Sequence, residues 1–198
     1  MKFASCCLVL LASVFASAGA MFAQGEAQSD PSGDVAADPG PLATDLSPSL
    51  KPRKIQKAIR KVADWQLRTA QDRLSADWTF AALYDGFLAA WRATGDAKYR
   101  DAVQRFAAGN HWQLGPRFGH ADDEAVAQSY LELYMEHPAP ERIAAIEAEG
   151  SKLLARPSDP NKVLWWWCDA LFMAPPALAR LYHVTGDQRY LDFMNREW

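Results

Sequence analysis

The chain has 198 residues, of which 49% are hydrophobic, 12% aromatic and 23% charged. That is the composition of a folded domain with a sizeable core, not of a disordered or fibrous chain. A formal net charge of −3 and a pI near 5.8 provide no basic surface, so nucleic acid is not expected as a partner.

The chain opens with "MKFASCCLVLLASVFASAGA". One early cation, Lys2, precedes an apolar run from Cys6 to Phe15, and small residues follow at Ala16–Ala20. This pattern predicts a secretory signal peptide over residues 1–23, cleaved after Ala18, Ala20 or Ala23. The mature chain is then secreted or periplasmic, with no membrane partner, because the run is shorter than the roughly 20 residues of a membrane span. Cleavage removes Cys6 and Cys7 and leaves Cys168 alone, so no intramolecular disulfide is expected. Cys168 itself reads as a small buried hydrophobe rather than a nucleophile. Residues 24–50 are rich in Ala, Asp, Ser, Pro and Gly and lack aromatic residues, which predicts a disordered linker. The folded part is expected over 51–198.

From Pro52 onward the pattern is helical, and no strand is expected. Ile55, Ile59, Val62 and Trp65 recur at helical spacing after a proline suited to a first turn. Trp78, Leu83, Phe87 and Trp91 mark a second helix, and Tyr99, Val103 and Phe106 a third. "DDEAVAQSYLELYMEH" reads as one helix ending before Pro138, with Val126, Tyr130, Leu133 and Tyr134 inward. A helix opening at Pro140 carries Ile143, Ile146, Leu153 and Leu154, and "ALARLYHVT" and "DQRYLDFMNREW" give the last two. "TGDAKYRD" at Thr94 recurs as "TGDQRYLD" at Thr185, 91 residues later. In each copy the glycine suits a left-handed helix stop, the aspartate suits the cap of the next helix, and Tyr99 or Tyr190 packs back. Each copy is therefore an αα-hairpin with a tight turn. The period is longer than common helical-repeat units and fits two hairpins of a toroid. About seven helices are expected, and the chain reads as roughly half of a closed barrel.

Two acidic segments are the chemical candidates. In "FGHADDEAVAQSYLELY", His120 leads into Asp122, Asp123 and Glu124 at a helix start. One acid serves as a helix cap, but three exceed what a cap needs. In "VLWWWCDALFMAPP", Asp169 follows Trp165, Trp166 and Trp167; it either starts a helix beside core tryptophans or is a carboxyl tuned by an apolar wall. Three consecutive tryptophans cannot all face one way, so at least one should border solvent or a cavity. Asp169 against indole rings is expected to have a raised pKa and act as an acid, while Asp122 on a helix N-terminus stays ionised. Two carboxylates in unlike environments suit glycoside chemistry. There is no metal-ligand spacing, phosphate loop or nucleophile elbow.

"HADDEAVAQSYLELY" and "WWWCDALFMAPPALARLYHVTGDQRYLDFM" together resemble the unsaturated rhamnogalacturonyl hydrolases of glycoside hydrolase family 105, relatives of the family 88 unsaturated glucuronyl hydrolases. "DWTFAALYDGFLAAWRATGDAKY" is similar to their early helices. The resemblance implies an all-α (α/α)6 toroid, here truncated to about its first half. It implies removal of a 4,5-unsaturated uronic acid from the non-reducing end of lyase-cut pectin oligosaccharides, with no cofactor. Asp169 then matches the general acid/base and Asp122 the second essential aspartate, with Asp123 the fallback. Substrate contacts are expected from Asp123, His120, Trp166, Trp167 and Tyr84. The alternatives are an unsaturated glucuronyl hydrolase acting on glycosaminoglycan-type fragments and a non-catalytic helical scaffold or sugar-binding protein. A sugar epimerase or polysaccharide lyase on the same toroid is a weaker one. The isolated half-toroid is expected to be inactive or prone to aggregate.

Overall fold

The computed structural model describes residues 44–70, 72–157, 159 and 161–197. The expected signal peptide and most of the expected linker lie outside the described residues. Residues 44–50 run without helix or strand to α1, where Asp45 pairs with Lys57 and Lys61.

The helices are α1 Pro52–Ala70, α2 Trp78–Thr94, α3 Ala97–Gly109, α4 Ala121–Glu124, α5 Ala127–Glu136, α6 Ala144–Ala155, α7 Ala170–Thr185 and α8 Arg189–Glu197. A single 3-10 turn, Pro140–Arg142, precedes α6. No strand occurs among the described residues. Two layers form. The apolar helices α2, α5 and α7 lie side by side, with α2 against α5 and α5 against α7. Helices α1 and α3 flank α2, and α6 and α8 flank α7. One returning helix separates each inner helix from the next, so the inner helices run the same way. This is an arc of an (α/α) toroid, as expected from the sequence.

The repeated turns explain the hairpins. Gly95 and Gly186 both sit at φ 74°, and their amides donate to Trp91 O and Tyr182 O at 2.7 Å. Only glycine adopts that left-handed stop without steric cost. Tyr99 and Tyr190 are buried as expected, Tyr99 stacking on Phe87 at 6.1 Å and donating to Asp64 at 2.8 Å. Asp187 accepts the Arg189 amide at 3.0 Å and so caps α8. Asp96 makes no such bond; Arg60 at 3.4 Å and Lys98 at 3.6 Å compete for its carboxylate.

Two helices differ from expectation. The segment from Ala121 to Glu136 is broken at Ala125–Val126 into α4 and α5, not continuous. Helix α7 begins at Ala170, as the helix-start reading of Asp169 has it, but runs through Pro175 and Pro176, where the sequence pattern marks helix only from Ala177. Proline lacks an amide, so Pro176 leaves Phe172 O without its helical donor. Gln128 of α5 supplies one from outside, donating to Phe172 O at 2.7 Å and Met173 O at 2.9 Å. Its own oxygen accepts from Arg180 at 2.9 Å. Arg180 and Arg92 both reach Glu132, at 2.8 and 2.5 Å. Asp85 faces this inner seam from α2. Burial pushes its carboxyl up to about 7, with Arg180 opposing and Glu132 adding to the shift.

Candidate active site

The acidic cluster is built by the loop between α3 and α4. After Asn110, both His111 and Trp112 hold left-handed backbone, at φ 53° and 57°. Side chains secure this uncommon geometry. Asn110 donates to Gln113 O at 2.7 Å and to the Tyr130 hydroxyl at 3.0 Å. Trp112 is buried edge-on to Tyr130 at 5.3 Å, with Arg142 at 5.1 Å over its ring. The loop then returns to α4, where the Gly115 amide donates to Asp123 O at 3.0 Å.

One guanidinium organises the acids. Arg117 Nε donates to Asp123 Oδ2 at 2.5 Å, and its terminal nitrogens lie 3.3 Å from Asp122 Oδ2 and 3.1 Å from His120 Nε2. Asp123 is buried and Asp122 half-buried. The paired carboxylates hold the guanidinium above its ordinary range, the bond to Asp123 contributing most. Glu124 is not among the partners of this guanidinium. It is 1% exposed, and neither carboxylate oxygen has a hydrogen-bond partner among the described residues. Burial pushes its carboxyl up to about 8, with the charges of Glu149 and Asp123 adding to the shift. Such a group stays protonated and neutral at pH 7.

The aromatic segment divides its rings. Trp165 is 4% exposed and packs edge-on to Phe193 at 6.1 Å, while Trp166 is 79% exposed. Trp167 is half-buried, with Trp166 at 5.3 Å on one side and His120 at 4.8 Å on the other. The His120–Trp167 contact brings the two acidic segments together, although 47 residues separate Asp122 from Asp169. Asp169 directly precedes the inner helix α7, and Asp122 lies in α4, the short helix ahead of the inner helix α5. Asp77 caps the inner helix α2 by accepting the Thr79 amide at 3.0 Å.

The profile of glycosyl hydrolase family 88 matches residues 51–198. The chain belongs to glycosyl hydrolase family 88. It is 32% identical over 160 residues to an unsaturated 3S-rhamnoglycuronyl hydrolase of Formosa agariphila, covering 74% of this chain and 42% of that protein. A protein of the same name from Alteromonas sp. is 26% identical over 192 residues, covering 79% and 46%. The chain thus spans under half the length of these relatives. Among solved structures, a glycosyl hydrolase family 88 protein from Bacteroides vulgatus superposes with a TM-score of 0.68 at 19% identity, covering 74% of this chain and 46% of that one. A structure titled polysaccharide lyase superposes at 0.67 with 22% identity, covering 74% and 45%. These two likenesses establish the toroid fold.

In this family 88 chain the other predicted residues fall in unlike places. His120, Asp122, Asp123, Trp166 and Trp167 form one connected face. Asp169 precedes α7 and is exposed, with no capping bond, so the expected burial against indoles is corrected. Trp165 turns into the core and Trp166 to solvent, so no indole pocket closes over it among the described residues. Tyr84 is also corrected as a substrate contact. It is wholly buried, stacks on Phe106 at 4.6 Å and donates to Ser75 O at 2.8 Å, leaving no surface for a sugar. Cys168 is exposed rather than buried, because its neighbours Trp165 and Ala170 take the inward positions. Arg117 was missed as a member of the site, and Glu124, named with the other acids, stands apart from it. Arg117 sits in a loop with no periodic pattern, and only its six-residue distance from the acids hinted at a pair.

Proposed function

We propose that the complete toroid of which this arc is part removes a 4,5-unsaturated uronic acid from the non-reducing end of lyase-cut oligosaccharides, with rhamnose next to the uronate. The observation that carries this reading is the His120–Trp167 contact, which joins the Asp122 and Asp169 segments into one face. Family membership supplies the chemistry. Asp169 donates a proton to C4 of the ring double bond and then takes one from the water that adds at C5. The hemiketal so formed opens and releases the remaining oligosaccharide. A carboxyl can serve as both acid and base in such a cycle. The exposed Trp166 and half-buried Trp167 offer flat apolar surface for a sugar face. Asp122 and Asp123, fixed by Arg117, offer acceptors for its hydroxyls.

Rhamnogalacturonan fragments and unsaturated 3S-rhamnoglycuronyl fragments both end in an unsaturated uronate next to rhamnose. The first is favoured by the "WCDALFMAPP" segment, the second by the names of the two relatives. We also assign the mature chain to the cell exterior or periplasm, on the character of residues 1–23.

The test is the ultraviolet absorbance of the conjugated uronate, followed with each lyase-digested polymer in turn. Absorbance should fall with at least one of them, and Asp169→Asn should slow the fall by at least about 100-fold. An unchanged rate in Asp169→Asn would remove Asp169 from the chemistry. Conversion without loss of absorbance would point to epimerase chemistry, and a rise would point to a lyase.

A further inference from the structure

We propose that Arg117 is a positioning residue that selects the Nδ1–H form of His120. The inference rests on the assignment of Asp122 to the site, but its geometry stands apart from any reaction. A guanidinium carries five N–H donors, no acceptor, and does not lose its proton in proteins. His120 Nε2 lies 3.1 Å from Arg117 Nη1. At that distance one of the two must accept, and only the imidazole nitrogen can. A proton on Nε2 would set two N–H groups against each other, so the ring proton belongs on Nδ1. His120 Nδ1 is buried, lies 3.5 Å from Asp122 Oδ2, and has no hydrogen-bond partner among the described residues. A proton there sits beside the Asp122 carboxylate without a formed hydrogen bond to it.

The same guanidinium donates to Asp123 at 2.5 Å and to Asp122 at 3.3 Å. Arg117 thereby fixes the two acids and the imidazole as one unit. The imidazole in turn rests against Trp167 at 4.8 Å. Its tautomer and tilt therefore connect the acid cluster with the segment that carries Asp169. A planar fork suits this task, since three partners lie around it at set angles. Lysine offers a point charge with movable donors and can replace one bond but not the whole arrangement.

The test reads the ring nitrogens directly. The 198-residue chain is labelled with 15N-histidine, and two-bond proton–nitrogen correlations report which nitrogen is protonated. A His120→Gln spectrum assigns the His120 signals among the four histidines. The wild type should show the Nδ1–H pattern at His120. Arg117→Met should shift it to the Nε2–H pattern that free imidazole favours, and Arg117→Lys should retain a major share of Nδ1–H. An Nε2–H pattern in the wild type overturns the proposal. So does a wild-type pattern that persists in a folded Arg117→Met. Where Arg117→Met does not fold, Arg117→Ala decides by the same criterion: a wild-type Nδ1–H pattern that persists in the folded Arg117→Ala chain overturns the proposal. None of these signals depends on turnover. A chain that hydrates no unsaturated uronide therefore fails the functional reading while leaving this test intact.

Discussion

Gly115 lies so close to Asp123 that a methyl group has no room. A Cβ at position 115 would overlap the Asp123 carboxylate, coming within 2.6 Å of Asp123 Cβ. Gly115→Ala must therefore push Asp123 away from Arg117 or bend the loop. Overpacking of this kind costs about 1–3 kcal/mol, and denaturant unfolding should show that loss. Gly86→Ala is the contrasting case. Nothing lies within 4 Å of its added Cβ, and it sits inside α2, so it should gain about 0.5–1 kcal/mol. A stable Gly115→Ala chain with unaltered His120 signals would mean that the loop moves freely, against the rigid framework described for it. At this scale the sequence revealed residue types better than directions. That the three tryptophans must separate followed from chain geometry, but which one turned inward did not. Trp165 goes inward because Phe193, from a helix 28 residues away, provides its partner. Tyr84 was expected as a sugar contact on the family resemblance; its core role depends on Ser75 and Phe106, set by the α1–α2 turn and α3.

At the scale of elements, Gln128 and the double proline form one device. Pro176 removes the amide that would serve Phe172 O, and Gln128 replaces it from a neighbouring inner helix. Gln128→Ala should cost about 1–3 kcal/mol, since a buried acceptor is left unpaired. In a Pro176→Ala background the helix regains its own donor, and the same Gln128→Ala change should cost less. A double-mutant cycle by denaturant unfolding measures the difference; additive costs would show that Gln128 serves some other purpose. This coupling explains what sequence reading could not recover. Prolines inside a helix argue locally for a boundary, and only a glutamine 47 residues or more upstream reverses that argument. The glycine stops at Gly95 and Gly186 were legible because their cause is local, a backbone angle open to few other residues. The break between α4 and α5 was not, since Ala125 and Val126 continue the helical pattern without a proline or glycine.

For the whole molecule, two inner-layer acids shape the dependence of stability on pH. Glu124 rises from 4.5 to about 8 and Asp85 from 3.8 to about 7, both chiefly through burial. Below about pH 4 the folded and unfolded chains both hold these protons, and folding pays no penalty. Above it the unfolded chain releases them while the folded chain retains them, so stability falls until pH passes about 7 for Asp85 and 8 for Glu124. Asp64, lowered chiefly by its bond to Lys98, acts oppositely, losing its contribution as pH falls into the acid range. Thermal unfolding should therefore show a maximum at mildly acid pH and a decline toward pH 8. Glu124→Gln should flatten that decline, and Asp85→Asn should flatten its part below about pH 7. A melting temperature that rises steadily from pH 4.5 to 8 would contradict burial as the controlling influence.

The unequal exposure of adjacent indoles has an optical consequence. Trp165 is held in a dry, fixed setting and Trp166 stands in water, so their fluorescence differs in colour and in access to soluble quenchers. The chain has eight tryptophans, so each of these two is read as the difference between the chain and its Trp→Phe variant; iodide should extinguish the Trp166 difference signal and spare that of Trp165. Any flat molecule settling on the face shared with His120 would shield the former and leave the latter unchanged. Two consecutive residues thus become, by difference, a probe and its internal reference.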